Sequence, residues 1–304
     1  MKSPLPDKLT LDTRDRQLRE RIASMSPFRR RCVWRRHCRT SHLKHGAFLY
    51  KFRSIENGDE KSISKVRSIL VESKLFLSAP DTFNDPFDMS ARMTFEGTPQ
   101  EKRRRVEKMV RRQVPQLTKR QRNQLISDFL ARPDIASTRL LQLAQDVNRD
   151  VTGVFCFAGD PRNILMWSHY ADNHKGICIQ FDRSQDIELA FGAFPVNYSD
   201  EKKFPTLNWA SDSASENVKA CLKKSADWSY ECECRLVKPL SANTVMGIDP
   251  QAVVGVILGC QMDLTTRATV FALLEERRKC GLPDCTIWQA HKMADRAELR
   301  IARV

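Results

Sequence analysis

From residue 47 to 54 aromatic side chains recur at every second position. Phe48, Tyr50 and Phe52 share one side of an extended chain, and Leu49, Lys51 and Arg53 share the other. The pattern predicts a strand whose aromatic side faces the core and whose Lys51 and Arg53 face the opposite surface. A switch to three- and four-residue spacing over 62–73 (Ile63, Val66, Ile69, Leu70) predicts a helix. A short strand is predicted at 74–78. The stretch 79–88 carries two prolines with Asn84, Asp85 and Asp88, the composition of a loop. Phe83 and Phe87 are expected to plug it into the core while its acids bind backbone amides.

From 98 to 149 the period is helical. Pro99 with Glu101 suits a first turn, and Pro115 and Pro133 divide the region into three helices. Strand character returns at 151–157. A short helix is predicted at 163–170, stopped by Gly176 before a strand at 177–181. Further strands are expected at 194–198, 231–238, 253–258, 286–290 and 298–304, with helices at 213–224 and 264–280. The fold class that follows is α+β, with a mixed, largely antiparallel sheet, flanking helices and a helical insertion at about 96–150. Residues 46–304 form one domain in this reading.

Composition narrows the picture. The chain has 304 residues and is 41 % hydrophobic, long enough for a core that needs no staples. No run approaches the ~18 apolar residues of a membrane span. Cys156, Cys178 and Cys260 sit singly in apolar runs, as reduced cysteines do, so a cytoplasmic protein is expected. The net charge of +14 is unevenly distributed: residues 1–45 contribute +9, residues 96–150 contribute +6, and the rest is close to neutral. The first 45 residues read as a basic, disordered leader, with no apolar periodicity that could bury a face. Cys32, Cys38, His42 and His45 within it lack the close spacing of a zinc knuckle. Lys102, Arg103, Arg104, Arg105, Lys108, Arg111 and Arg112 mark a basic helical segment able to meet phosphate backbones.

Two stretches concentrate chemistry. The run 166–176, MWSHYADNHKG, brings indole, imidazole and phenol together ahead of a buried strand. His169 and His174, five apart, do not share a helical face and make a poor metal pair. In the run 228–237, WSYECECRLV, period two sends Glu231, Glu233 and Arg235 to one face and Tyr230, Cys232 and Cys234 to the other. Two carboxylates and a guanidinium in a cleft can support a developing cation and take up a proton. A metal cluster of Asp85, Asp88, Glu231 and Glu233, as in metal-dependent phosphodiesterases or nucleases, is a further alternative that no spacing supports. The chain has no G-x-G-x-x-G, Walker or G-x-S-x-G signature.

These blocks resemble the bacterial family catalogued as domain of unknown function 2971. The resemblance rests on LYKFRS (49–54), FNDPFD (83–88), GVFCF (153–157), MWSHYADNHKGICIQFD (166–182) and WSYECECR (228–235). Cys234 stands where that pattern has a bulky aromatic. More distantly, the order of an early-strand arginine and a late glutamate pair is similar to ADP-ribosyltransferases of the arginine–serine–glutamate type, although Ala158 stands where their serine is sought. That similarity implies NAD as substrate, with no metal. Arg53, beside Lys51, would hold the pyrophosphate. Glu233 would steady the ribose cation, Glu231 would orient the acceptor, and Tyr170 or Trp167 would stack on nicotinamide. His169 joins Glu231 and Glu233 as a candidate catalytic residue. The implied function is ADP-ribosyl transfer or NAD cleavage, with a nucleic acid or protein as acceptor. The alternative is a non-catalytic interaction or nucleic-acid-binding module.

Overall fold

The structure, a computed structural model, describes residues 47–56, 59–131, 152–210 and 220–304, with isolated positions at 24–26, 29, 32 and 218. Most of the basic leader, including Cys38, His42 and His45, the third predicted helix around 132–150, and most of the helix predicted at 213–224 lie outside the described residues. The fold is α+β, with mixed and mostly antiparallel sheets.

A five-stranded sheet runs in the order β1 (Phe48–Arg53), β5 (Ile177–Asp182), β12 (Val253–Leu258), β13 (Thr286–Lys292) and β14 (Leu299–Arg303). Only the β12–β13 pair in it is parallel. The runs ICIQFD and VVGVIL are apolar at nearly every position because both faces of this sheet are covered. On one face Leu49, Ile177, Ile179, Phe181, Val256 and Leu258 pack against α1 (Glu60–Leu70) and α6 (Leu264–Lys279). On the other, Phe52, Cys178 and Ile257 pack against Met166, Trp167 and Ala171 around α4 (Ile164–Tyr170).

This double coverage corrects the reading of β1. Its aromatic side is not the sole core side: Leu49 is fully buried and Phe48 is exposed. Lys51 and Arg53 therefore lie on the side of the main core, at its rim, and their cationic ends sit over the Phe155 ring at 4.8 and 5.9 Å.

A second sheet has β10 (Cys234–Lys238) between β4 (Gly153–Phe157) and β6 (Ala193–Pro195), both antiparallel to it. Phe155, Phe157, Cys234 and Leu236 turn into the main core, which leaves the registered pair Cys156 and Arg235 on the opposite face. Reciprocal bonds between Tyr50 and Ala158 stitch β1 to the end of β4, so the two sheets meet at Lys51 and Arg53.

The short pairs β2 (Lys74–Leu77) with β11 (Thr244–Gly247), β3 (Arg92–Thr94) with β8 (Thr206–Asn208), and β7 (Asn197–Ser199) with β9 (Lys223–Ser225) complete the strands. The predicted strand at 194–198 is split between β6 and β7, after a short α5 (Ile187–Gly192). Within the predicted insertion, α2 (Pro99–Gln113) opens on the expected Pro99 with a Thr98–Glu101 capping box. It pairs with α3 (Lys119–Ala131) around Val106, Val110 and Ile126.

Candidate functional site

The outer face of the second sheet carries a buried ionic cluster. Arg235, with no exposed surface, donates to both oxygens of Asp88 at 2.9 and 2.6 Å. It also donates to both oxygens of Glu233 at 2.8 Å each, and to the Cys221 carbonyl at 2.8 Å. Lys224 Nζ lies 2.6 Å from Glu231 and 3.3 Å from both Glu233 and Asp88. Two cations thus face three carboxylates in a region where an unpaired charge would cost several kcal/mol. Burial alone would raise the Glu233 carboxyl, but Arg235 and then Lys224 outweigh it and hold the group at about 2. For Lys224 the acids likewise overcome burial and push its ammonium upward.

Local chain geometry brings the acids together in a way that alternation did not predict. Residues Ala226–Glu231 form a 3-10 turn, not a strand, and Cys232 closes it in the left-handed region at φ 44°. Strand β10 starts only at Cys234. Glu231 and Glu233 therefore flank a backbone reversal and approach Lys224 from separate elements, one from the turn and one from the strand approach. The loop 83–88 is corrected as well. Asp85 accepts from the Phe87 amide at 2.9 Å as expected, but Asp88 binds Arg235, and Phe87 lies 70 % exposed, stacked on Phe204.

Tyr170 connects the helix segment to the cluster. Its hydroxyl donates to Glu231 at 2.6 Å and accepts from Asn84 at 3.2 Å. Burial, reinforced by the bond to Glu231, pushes this phenol upward. His169 is exposed at the edge, 6.4 Å from the Tyr170 ring and 6.2 Å from that of Tyr230. Trp167 is not available for stacking on a ligand. It is fully buried, edge-on to Phe52 at 5.1 Å, and its indole donates to the Pro161 carbonyl at 2.7 Å. His174 turns away from the cluster, between Ser168 at 3.1 Å and Cys260 at 3.7 Å.

Lys51 and Arg53 form the cationic side of the site. Lys51 donates to the Cys156 carbonyl at 2.7 Å; burial, then the neighbouring Arg53, lowers its ammonium to about 8. Burial lowers Arg53 to about 10, and its buried Nε has no hydrogen-bond partner. Glu233 and Glu231 are near enough to act on Lys51 electrostatically. The structure thus gathers Lys51, Tyr170, Glu231 and Glu233, with Arg53 beside Lys51 and His169 at the margin.

Sequence reasoning missed Lys224, which sits where a helix was expected, and the role of Asp88 as a guanidinium partner. Lys224 bridges Glu231 and Glu233, which follow it closely in the chain, to the distant Asp88, a convergence that no helix or strand period predicts. Its Nζ occupies the space between Asp88, Glu231 and Glu233, which the metal-cluster alternative would require for an ion.

Residues 166–236 match the family model of DUF2971, described as a protein of unknown function. That stretch holds Tyr170, Lys224, Glu231, Glu233 and Arg235, while Lys51, Arg53 and Asp88 lie before it. No curated protein and no solved structure matches the chain. Among the described residues, no helix is long and apolar enough to cross a membrane.

Proposed function

We propose that the chain binds NAD as a substrate at the Lys51–Arg53 rim and cleaves it or transfers its ADP-ribosyl group. The observation that carries this reading is the contrast between two pairs of cations. Lys224 and Arg235 are matched by carboxylates, whereas Arg53 keeps a buried Nε without a partner beside a Lys51 whose charge is disfavoured. A bound pyrophosphate would supply the missing negative charge and acceptor oxygens.

The acidic side supports a division of roles different from the one the resemblance implies. Both oxygens of Glu233 are engaged by Arg235, so Glu233 acts as a positioning residue that holds Lys224 and Arg235 in place. Glu231 is held by Lys224 through one oxygen only, and its other oxygen takes the Tyr170 hydroxyl, so Glu231 and Tyr170 are the groups suited to the reaction. The bond between ribose C1′ and the nicotinamide nitrogen breaks, and its electron pair leaves with nicotinamide. Negative charge on Glu231 supports the cationic sugar, and water or an acceptor hydroxyl adds to C1′. The proton of that nucleophile passes to the Tyr170 oxygen as the Tyr170 proton moves to Glu231, 2.6 Å away. Tyr230 and His169, at the open margin, present rings on which a planar base can stack.

The test is nicotinamide release from NAD by the full chain, measured with and without candidate acceptors. Glu231→Gln is expected to lower kcat at least a hundredfold with little change in KM. Arg53→Met is expected to raise KM or abolish NAD binding by calorimetry. An absence of NAD binding in wild-type protein, or unchanged binding in Arg53→Met, overturns the reading.

A further inference from the structure

Helix α3, with Arg103 from α2, borders a shallow, open groove of about 620 Å³ lined by Arg103, Lys119, Arg120, Asn123, Gln124 and Ser127. It lies on the helical pair, whose core is separate from that of the main sheets. Six of the basic residues of this segment fall into two groups. Lys102 and Arg105 cap the rings of Phe95 and Trp209 at 5.4 and 4.9 Å, and Arg111 is paired with Glu107 at 2.7 Å. Arg103, Lys119 and Arg120 are exposed, line the groove, and have no carboxylate partner among the described residues. The nearby acid Asp128 accepts from Gln124 at 2.8 Å.

We propose that this groove docks a single strand of nucleic acid through its phosphate backbone. Charge complementarity selects the occupant. Three exposed cations converge from two helices, and a polyanion with regularly spaced charges can neutralise all three while releasing its counterions. Asn123, Gln124 and Ser127 supply donors and acceptors for sugar hydroxyls and base edges without fixing a sequence. This surface is independent of the NAD reading, since it shares no residue with the Lys51–Glu231 site.

The experiment is a fluorescence-anisotropy titration of the full chain with a labelled 20-nucleotide RNA at several salt concentrations. Binding is expected, with affinity falling as salt rises. Each phosphate contact contributes about −0.7 to the log–log slope for a single strand, so three contacts account for a slope of about −2. The variant Arg103→Gln/Lys119→Gln/Arg120→Gln is expected to bind at least tenfold more weakly with a slope flatter by that amount. Its thermal midpoint should be unchanged, because the three side chains are exposed. Arg111→Gln, which removes a cation already paired with Glu107, is expected to bind as wild type does. The proposal is overturned if wild-type protein does not bind. Undiminished binding by the triple variant also overturns it, since the charge of residues 1–45 would then carry the affinity. Equal competition by polyglutamate of matched charge would assign the groove to acidic protein instead.

Discussion

Arg235 and Asp88 meet through two hydrogen bonds of 2.9 and 2.6 Å, fork to fork, although 147 residues separate them in the chain. The pair ties the loop after β2 to the centre of the second sheet. Because both groups are buried, its loss leaves Asp88 and Glu233 with Lys224 as the remaining cation. Arg235→Leu is expected to destabilise the fold by about 3–5 kcal/mol in urea titrations. Arg67→Ala, which removes an ion pair to Glu276 between half-exposed side chains, should cost under about 1 kcal/mol. Equal effects of the two substitutions would show that the buried cluster does not hold the loop.

Glu233 makes the cluster sensitive to acid. Its carboxyl is held at about 2, against an ordinary value of 4.5, chiefly because Arg235 and Lys224 outweigh burial. A folded-state value below the unfolded one means that the group stabilises the protein above about pH 4.5. That contribution is lost as the pH falls toward 2. It amounts to roughly 3 kcal/mol at neutral pH. The stability difference between wild type and Glu233→Gln should therefore be largest at pH 7 and shrink steadily below pH 4.5. A difference that does not vary between pH 7 and pH 3 would contradict this assignment.

Period and punctuation made much of the scaffold legible. The apolar runs of β5 and β12, the aromatic alternation of β1 and the Thr98–Glu101 start of α2 all announce themselves locally. The site was only partly readable, because its decisive contacts are not local. Glu231 and Glu233 look like neighbours on one strand, yet a left-handed Cys232 separates a 3-10 turn from β10. Trp167 has the composition of a ligand platform, but its ring fills the space behind Phe52. The partners of Lys224 are set by the packing of β9 against the turn and the loop, which no periodicity encodes.

Lys51 gives anion binding a pH signature. With its ammonium lowered to about 8 by burial and Arg53, only part of the population carries the charge at pH 8. A bound anion favours the protonated form, so affinity for ADP-ribose, whose pyrophosphate stays fully ionised, should be level below pH 7. It should then fall by up to tenfold per pH unit above 8. Lys51→Met is expected to bind more weakly and to lose this dependence. Calorimetric titrations at pH 6.5, 8 and 9 measure it, and an identical profile in the variant would remove Lys51 from the site.

Gly176 permits a close backbone approach beside the site. A Cβ built there would lie 2.2 Å from the Arg53 carbonyl and 3.0 Å from that of Ala171. Neither obstacle is a side chain that can swing aside, because Arg53 pairs with Ile177 in the β1–β5 ladder and the Gly176 amide donates to Ala171. The turn before it runs through Asp172, Asn173 and His174, all at positive φ, so the chain there has little room to adjust. Gly176→Ala should cost about 1–3 kcal/mol by forcing β1 away from β5. It should weaken anion binding too, since the displaced segment carries Arg53. Gly247→Ala, with nothing within 4 Å of the added carbon, should stay within about 0.5 kcal/mol of wild type. If Gly176→Ala matched it in both stability and affinity, Arg53 could not depend on this contact for its position.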